Sequence, residues 1–273
     1  MEYFTSVPIS EHIIRICDPV AVAMYLVIGE KEAVLIDTGC GFGNLREYVS
    51  SLTDRPVTVL LTHGHLDHAA GAADFDRVYM NRRDEEVYRV HSAIDYRRSF
   101  YQDIPGIRDI PASEYVRPAQ EPFCDLHDGQ VFDLGGISVE AVAVPGHTPG
   151  SMMMLMPQER TILFGDACGV GVMLFEDWAL TVSEYRDSLL SLKEKQEHRY
   201  DTVLRNHGTF GSTKGVLDDC IVCCGDILAG RDDRVPARVF GQEGFCQAKR
   251  VDAHGRRLDG REGNILYRLD KAR

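Results

Sequence analysis

No stretch of about 18 or more apolar residues occurs in this 273-residue chain, so a membrane-spanning helix is not expected. The beginning of the chain lacks a basic segment followed by an apolar one, the mark of an export leader, and the reading is a cytoplasmic protein. Positive charge is scarce: 30 Lys and Arg stand against 42 Asp and Glu, a net −12. A general nucleic-acid binder needs a basic face, and that class is set aside. No repeat of solenoid period appears, and no linker divides the chain into independent parts. The eight cysteines do not have the spacing of a secreted disulfide framework, and 44% hydrophobic residues suffice for a core without one. Reduced thiols are expected.

The charge is unevenly spread. Residues 231–273 hold 11 Lys and Arg against 7 Asp and Glu, which leaves residues 1–230 at −16. This basic tail either contacts an anionic substrate or a neighbouring subunit, or is a solvated hairpin of mixed charge, the simpler expectation. Cys220, Cys223 and Cys224 stand at i, i+3 and i+4 and share one helix face. They either bind a metal or pack in the core; free cysteine is among the most buried residue types, and packing is expected.

Apolar runs alternate with amphipathic stretches. AVAMYLVIG (21–29) and AVLIDTG (33–39) read as strands joined by a polar GEKE turn. GNLREYVSSL (43–52) places Leu45, Tyr48, Val49 and Leu52 on one helical stripe, and VTVLLTH (57–63) reads as the next strand, completing a βαβ unit. After a short strand at 77–81, residues 82–102 read as a helix with Val87, Val90, Ile94 and Tyr101 on one side, and residues 103–124 carry four prolines and little periodicity. The span 82–124 thus reads as an insertion, rich in aromatics such as Tyr96 and Phe100, that packs on the body or covers a site. Strands follow at 137–147, 151–157 and 161–166, a helix at 181–199, a strand at 201–208, a helix at 213–229 and a closing strand at 263–270. The Met-rich strand SMMMLMP (151–157) reads as core filler. The expected organisation is one domain over 1–273, with 82–124 as its covering insertion and 231–273 as a basic hairpin.

THGHLDH (62–68) puts His63, His65, Asp67 and His68 within six residues. On a helix, residues two apart point nearly opposite ways, so His63 and His65 would not converge. A strand that ends, a turn at Gly64 and a helix beginning near Asp67 would send His63 and His65 to one point and Asp67 and His68 to another. Three more donors close apolar runs beside a glycine: His147 in VPGHTPGS, Asp166 in TILFGD and His207 in TVLRNHG. Imidazoles and carboxylates without a required thiolate suit Zn²⁺, with Fe or Mn²⁺ as alternatives. Seven donors are too many for one tetrahedral ion and enough for two. Cys168, two residues after Asp166, is near enough in sequence to reach such a site, though a buried packing role is expected. His127 reads as structural; His91, in the insertion, either faces the cleft or lies on the surface, the simpler expectation; His198 and His254 read as solvated.

LIDTG (35–39), THGHLDH, VPGHTPGS (144–151), FGD (164–166) and NHG (206–208), in that order, resemble the metallo-β-lactamase-fold hydrolase superfamily, over at least residues 21–208. The resemblance implies an α/β four-layer αββα sandwich with a two-metal centre at one edge. It implies His63, His65 and His147 around one Zn²⁺; Asp67, His68 and His207 around the second; Asp166 between them; and Asp37 supporting the ligands from behind. Asp67 and Asp37 are the carboxylates it ties to catalysis, Asp67 as a ligand more than as a base. A metal-bridging hydroxide would then attack a small ester-like substrate, a thioester or lactone as in the glyoxalase II branch. Aromatics of the insertion, with Phe175 and Trp178, would suit an organic substrate of moderate size. Two alternatives remain: a phosphodiesterase, and an iron-dependent persulfide dioxygenase with a single metal. A β-lactamase, a flavodiiron protein and a non-catalytic binding module fit less well. The expected partner is a small molecule, with neither nucleic acid nor membrane; self-association is left open.

Overall fold

The computed structural model describes residues 3–120 and 122–273. The first sheet has seven strands in sequence order: β1 (Thr5–Pro8), β2 (Ile13–Cys17), β3 (Ala23–Ile28), β4 (Ala33–Ile36), β5 (Val57–Leu60), β6 (Val78–Met80) and β7 (Cys124–Asp125). β3 and β4 pair antiparallel across the GEKE turn. β4 and β5 pair parallel, with Ala33 opposite Val57 and Ile36 opposite Leu60, and α1 (Leu45–Leu52) makes the crossover. Helix α1 starts where the Asn44 side chain accepts from the Glu47 amide, and it buries Leu45 and Val49.

The second sheet is built from β8 (Val131–Asp133), β9 (Ser138–Ala143), β10 (Met152–Met156), β11 (Thr161–Leu163), β13 (Thr202–Leu204) and β14 (Gly211–Ser212), with β13 beside β11. Successive side chains of a strand point to opposite faces, and both faces are covered here. On β10, Met152, Met154 and Met156 join a core with Val34, Ile36 and Leu60 of the first sheet. Met153 and Leu155 face the other way, into a core formed with α5 (Val182–Gln196) and α6 (Val216–Leu228). On β4, Ala33 and Leu35 turn outward beneath α1. The layers are therefore helix, sheet, sheet, helix. The methionines do fill the core, each worth about 1.5–3 kcal/mol when fully buried. Cys220, Cys223 and Cys224 are buried in the α6 layer, as packing predicts, and Cys168 is buried with them.

At three points the structure departs from the sequence reading. The helix expected over 82–102 is two helices, α3 (Glu85–His91) and α4 (Ile94–Phe100), because Ala93 is extended at the start of α4. The buried set shifts accordingly: Val87, Tyr88 and His91 on α3, then Arg97 and Tyr101, in place of Val90 and Ile94. Arg97 is fully buried because its guanidinium donates to the carbonyls of Cys40, Gly41 and Val116 and lies over the Tyr115 ring. Third, the basic tail is more than a hairpin. Strands β15 (Val235–Val239) and β16 (Gln242–Gln247) form a third sheet with β17 (Ile265–Arg268) and β12 (Val172–Leu174), so the tail is woven into the body beside the loop that follows Asp166.

Strands β4, β5, β9, β11 and β13 end at the same edge of the sandwich, since each sheet's contributing strands run in one sense. The residues following these ends are Asp37, His63, His147, Asp166 and His207. Gly146 allows the β9 exit: a Cβ there would lie 2.2 Å from Cδ2 of Tyr185. That ring is pinned, because its hydroxyl donates to the Ala167 carbonyl at 2.7 Å. Gly146→Ala is expected to lose about 1–3 kcal/mol as an overpacking substitution, read as a lower urea midpoint at unchanged slope.

Candidate metal centre

All seven donors named from the sequence converge at this edge. Their ligand atoms form three overlapping groups, each within 4.8 Å: His63, His65 and His147; His63, His68 and Asp166; Asp67, His68 and His207. His63 and His65 lie on the turn between β5 and α2 (Leu66–Ala69), and His65 caps that short helix, which carries Asp67 and His68. This is the strand–turn–helix arrangement expected from the spacing.

In the first group, His65 Nδ1 lies 3.1 Å from His63 Nε2 and 3.0 Å from His147 Nε2. The other ring nitrogens fix which atoms face inward. His147 Nδ1 donates to the Met173 carbonyl at 2.8 Å, so Nε2 presents a lone pair. His63 Nδ1 meets the Thr62 hydroxyl at 3.1 Å, and that hydroxyl donates to Asp37. Burial, together with the neighbouring imidazoles, holds the pKa values of His63 and His65 well below 6.5, which favours neutral rings with a lone pair available for a metal. Three inward-facing ring nitrogens this close could hold a cation between them. Nitrogens 2.0–2.1 Å from a tetrahedral ion stand about 3.3 Å apart, near the observed spacing. The residues present fit a metal.

The second group has the opposite electrostatics. Burial would lower the pKa of His68, but Asp67, Asp166 and Asp37 outweigh it and raise it well above 6.5. His207 is raised as well: burial pulls down, Asp166 and Asp67 push up. Burial would raise Asp166, yet His207 and His68 hold it well below the usual carboxylate range. Asp166 lies between the halves, 3.3 Å from His207 Nε2, 3.7 Å from His68 Nε2 and 3.9 Å from His147 Nε2. The centre opens on this side: the His207 side chain is 40% exposed and Asp67 27%, against 3% for His147.

Asp37 is fully buried behind the cluster, on a left-handed backbone turn (φ 63°) that Asp tolerates better than most residues. Its carboxylate accepts from the Thr62 amide at 2.7 Å, the Thr62 hydroxyl at 2.8 Å, His68 Nδ1 at 2.9 Å and Asn206 Nδ2 at 2.9 Å. It thereby orients His68 and ties together the three stretches that precede the donors. A carboxylate behind a metal-ligating histidine fixes the ring and raises its basicity.

Sequence reasoning missed Asp84 and took the less apt of its two readings for His91. Buried Asp84 accepts from the amides of Gly64 (2.9 Å) and Gly150 (2.6 Å) and from the Thr148 hydroxyl (2.7 Å). It thus clamps the loops of His63–His65 and His147, and Cβ atoms at Gly64 and Gly150 would collide with residue 84 itself. His91 is not a surface residue. It is 5% exposed and stacks on His65 with centroids 4.6 Å apart, while Trp178 meets it edge-on at 5.4 Å. Its Nδ1 accepts from the Leu66 amide at 3.4 Å, so Nε2 carries the proton toward the Tyr96 hydroxyl at 3.3 Å. Only Thr62 and Asn206, adjacent to donors within the quoted motifs, carried a local signal. Cys168 lies outside the donor groups, and His127, His198 and His254 are exposed.

A four-layer αββα sandwich that gathers such a His/Asp cluster at its strand ends is the architecture of the metallo-beta-lactamase fold. The metallo-beta-lactamase superfamily model matches residues 17–207, and the chain belongs to that superfamily. Among curated relatives, the human acyl-coenzyme A thioesterase MBLAC2 is 30% identical over 214 residues, covering 70% of this chain and 75% of the relative. The atrochrysone carboxyl ACP thioesterase of Aspergillus fumigatus is 30% identical over 175 residues, 62% of this chain and 46% of that protein. Among solved structures, a metallo-beta-lactamase from Pontibacter korlensis superposes with a TM-score of 0.57 at 16% identity, over 82% of this chain and 99% of that one. Among the described residues, no helix is long and apolar enough to cross a membrane.

Proposed function

We propose that this chain is a dinuclear metallohydrolase that cleaves a thioester. The observation carrying the reading is the complete set of seven converging donors in a chain whose relatives include two kinds of thioesterase. His63, His65 and His147 would hold one ion, Asp67, His68 and His207 the other, with Asp166 shared. The donor set suits Zn²⁺ first, with Fe or Mn²⁺ as alternatives. When bound, such a pair supplies Lewis acidity toward a carbonyl oxygen and lowers the pKa of water.

The protein's own residues do the rest. The exposed side at His207, Asp67 and Asp166 admits the substrate, while Asp37 and Asp84 hold the donors from behind. A thiol has a pKa of about 8.5, so a thiolate departs with little help from a proton donor. Lactone and phosphodiester substrates make a heavier demand on the leaving group. The test is a panel of acyl-coenzyme A thioesters, lactones and phosphodiesters with metal-loaded protein, following free thiol for the first. Thioester turnover with the others inert is the expected result; phosphodiester turnover alone would overturn the reading.

The two groups should lose metal at different pH. Ligand histidines must be unprotonated, so protons compete with metal. His68 and His207 have raised pKa values and take up protons first as pH falls; His63 and His65, with lowered values, resist to well below pH 6.5. Dialysis at stepwise lower pH should therefore release metal in two steps. Removal of His207 should abolish the earlier, higher-pH step.

A further inference from the structure

The turn between β15 and β16 has two central residues, Phe240 and Gly241, closed by the Val239–Gln242 pair. Both have positive φ, 48° and 79°. Such a turn favours Asn, Asp or Gly at its first position. A phenylalanine is strained there, and strain of this kind is retained at sites where the side chain is used. The ring is also 61% exposed. Its one aromatic contact among the described residues is Phe100 of α4, 4.9 Å away.

That contact extends a line of rings that starts at the metal centre. His91 stacks on His65, and Tyr96 leans on His91 with centroids 4.7 Å apart. Tyr96 and Phe100 are four residues apart on α4 and share a face. The adjacent strip, about 100° round the helix, carries the buried Arg97 and Tyr101, and Phe100 leans on the Tyr101 ring with centroids 5.2 Å apart. Phe240 meets the far end of the face that Tyr96 and Phe100 share. The hairpin is also tied to the loop bearing Trp178, through Phe245 of β16 against Phe175 at 4.5 Å. The insertion and the tail, unrelated in sequence, thus set aromatic rings in succession from His65 outward to Phe240.

We propose that Phe240 and Phe100 form the outer end of an acyl-binding surface and set a preference for bulky apolar acyl groups. The inference rests on the thioester reading. It assigns the tail a role in specificity, through an aromatic hairpin tip and not through its charge. An apolar chain extending from a carbonyl at the metals would lay one side against these rings and lose apolar surface to water there.

The test compares full-length, metal-loaded wild type with Phe240→Asn and Phe100→Ala, using acetyl- and decanoyl-coenzyme A. Asn suits the turn better than Phe, so Phe240→Asn is expected to melt no lower than wild type. The ratio of kcat/KM for decanoyl over acetyl substrate should fall about tenfold in each variant, the size of effect expected when apolar contacts are lost. An unchanged ratio overturns the proposal. Binding of the non-hydrolysable S-decyl coenzyme A thioether, followed by calorimetry, separates this inference from the reading beneath it. If wild type hydrolyses neither thioester, the thioesterase reading fails. In that case thioether binding that weakens in Phe240→Asn still supports the surface, and equal binding or none overturns it.

Discussion

His147→Ala is expected to remove one metal ion and lower the hydrolytic rate by about 10³ or more. The variant deletes one of three buried nitrogens, those of His63 and His147 lying 3.1 and 3.0 Å from that of His65, and leaves the other two without the geometry that would hold a cation. Metal contributes several kcal/mol to stabilising a developing oxyanion, and about 4 kcal/mol corresponds to three decades in rate. The fold should survive, because His147 makes one backbone hydrogen bond outside the cluster, to Met173. Metal analysis and steady-state kinetics on the folded variant check this. A variant that loses activity but keeps full metal content would mean that His147 is not a ligand.

Asp37→Ala should do comparable damage by another route. It leaves the Thr62 amide and hydroxyl, His68 Nδ1 and Asn206 Nδ2 without their shared acceptor in a buried setting. Removing one member of a buried, hydrogen-bonded charge pair costs about 3–5 kcal/mol. Loss of the group that orients a ligating histidine lowers metal affinity about 10–100-fold. Alanine also fits the left-handed backbone at this position poorly. Asp37→Asn separates the effects: it keeps the shape and the backbone preference, so its stability loss should be smaller while its metal affinity still falls. Chemical denaturation and chelator competition measure the two quantities independently. Unchanged metal affinity in both variants would show that His68 is held by other means.

The donors were legible in the sequence because each sits at the end of an apolar strand, beside a glycine or in a six-residue cluster. Strand ends that share a sense are brought to one edge by the sheet itself, so local signals sufficed for His63, His147, Asp166 and His207. The two-sheet core was legible in the runs of β3, β4 and β10 for the same reason. Asp84 was not, because its value lies in reaching two loops, one 20 and the other 66 residues away, whose glycines gave no hint of what fills the space beside them. His91 was hidden by the break at Ala93, which no Gly or Pro announces and which rotates the buried face of the insertion. Arg97 inverted the ordinary rule for arginine, since three carbonyls take its terminal nitrogens and an aromatic ring lies against it inside. The closing strand of the tail read as a strand, but its pairing with β12, Val172 opposite Ile265, depends on a parallel register that no local pattern encodes.

The most direct test of the account is the metal content of freshly purified protein, measured by mass spectrometry without added metal, beside His207→Ala. The account predicts two ions per chain in wild type and one in the variant, with the ion at His63, His65 and His147 retained. One ion per chain, unchanged by the substitution, would contradict the two-metal centre and favour single-metal chemistry at the same fold edge.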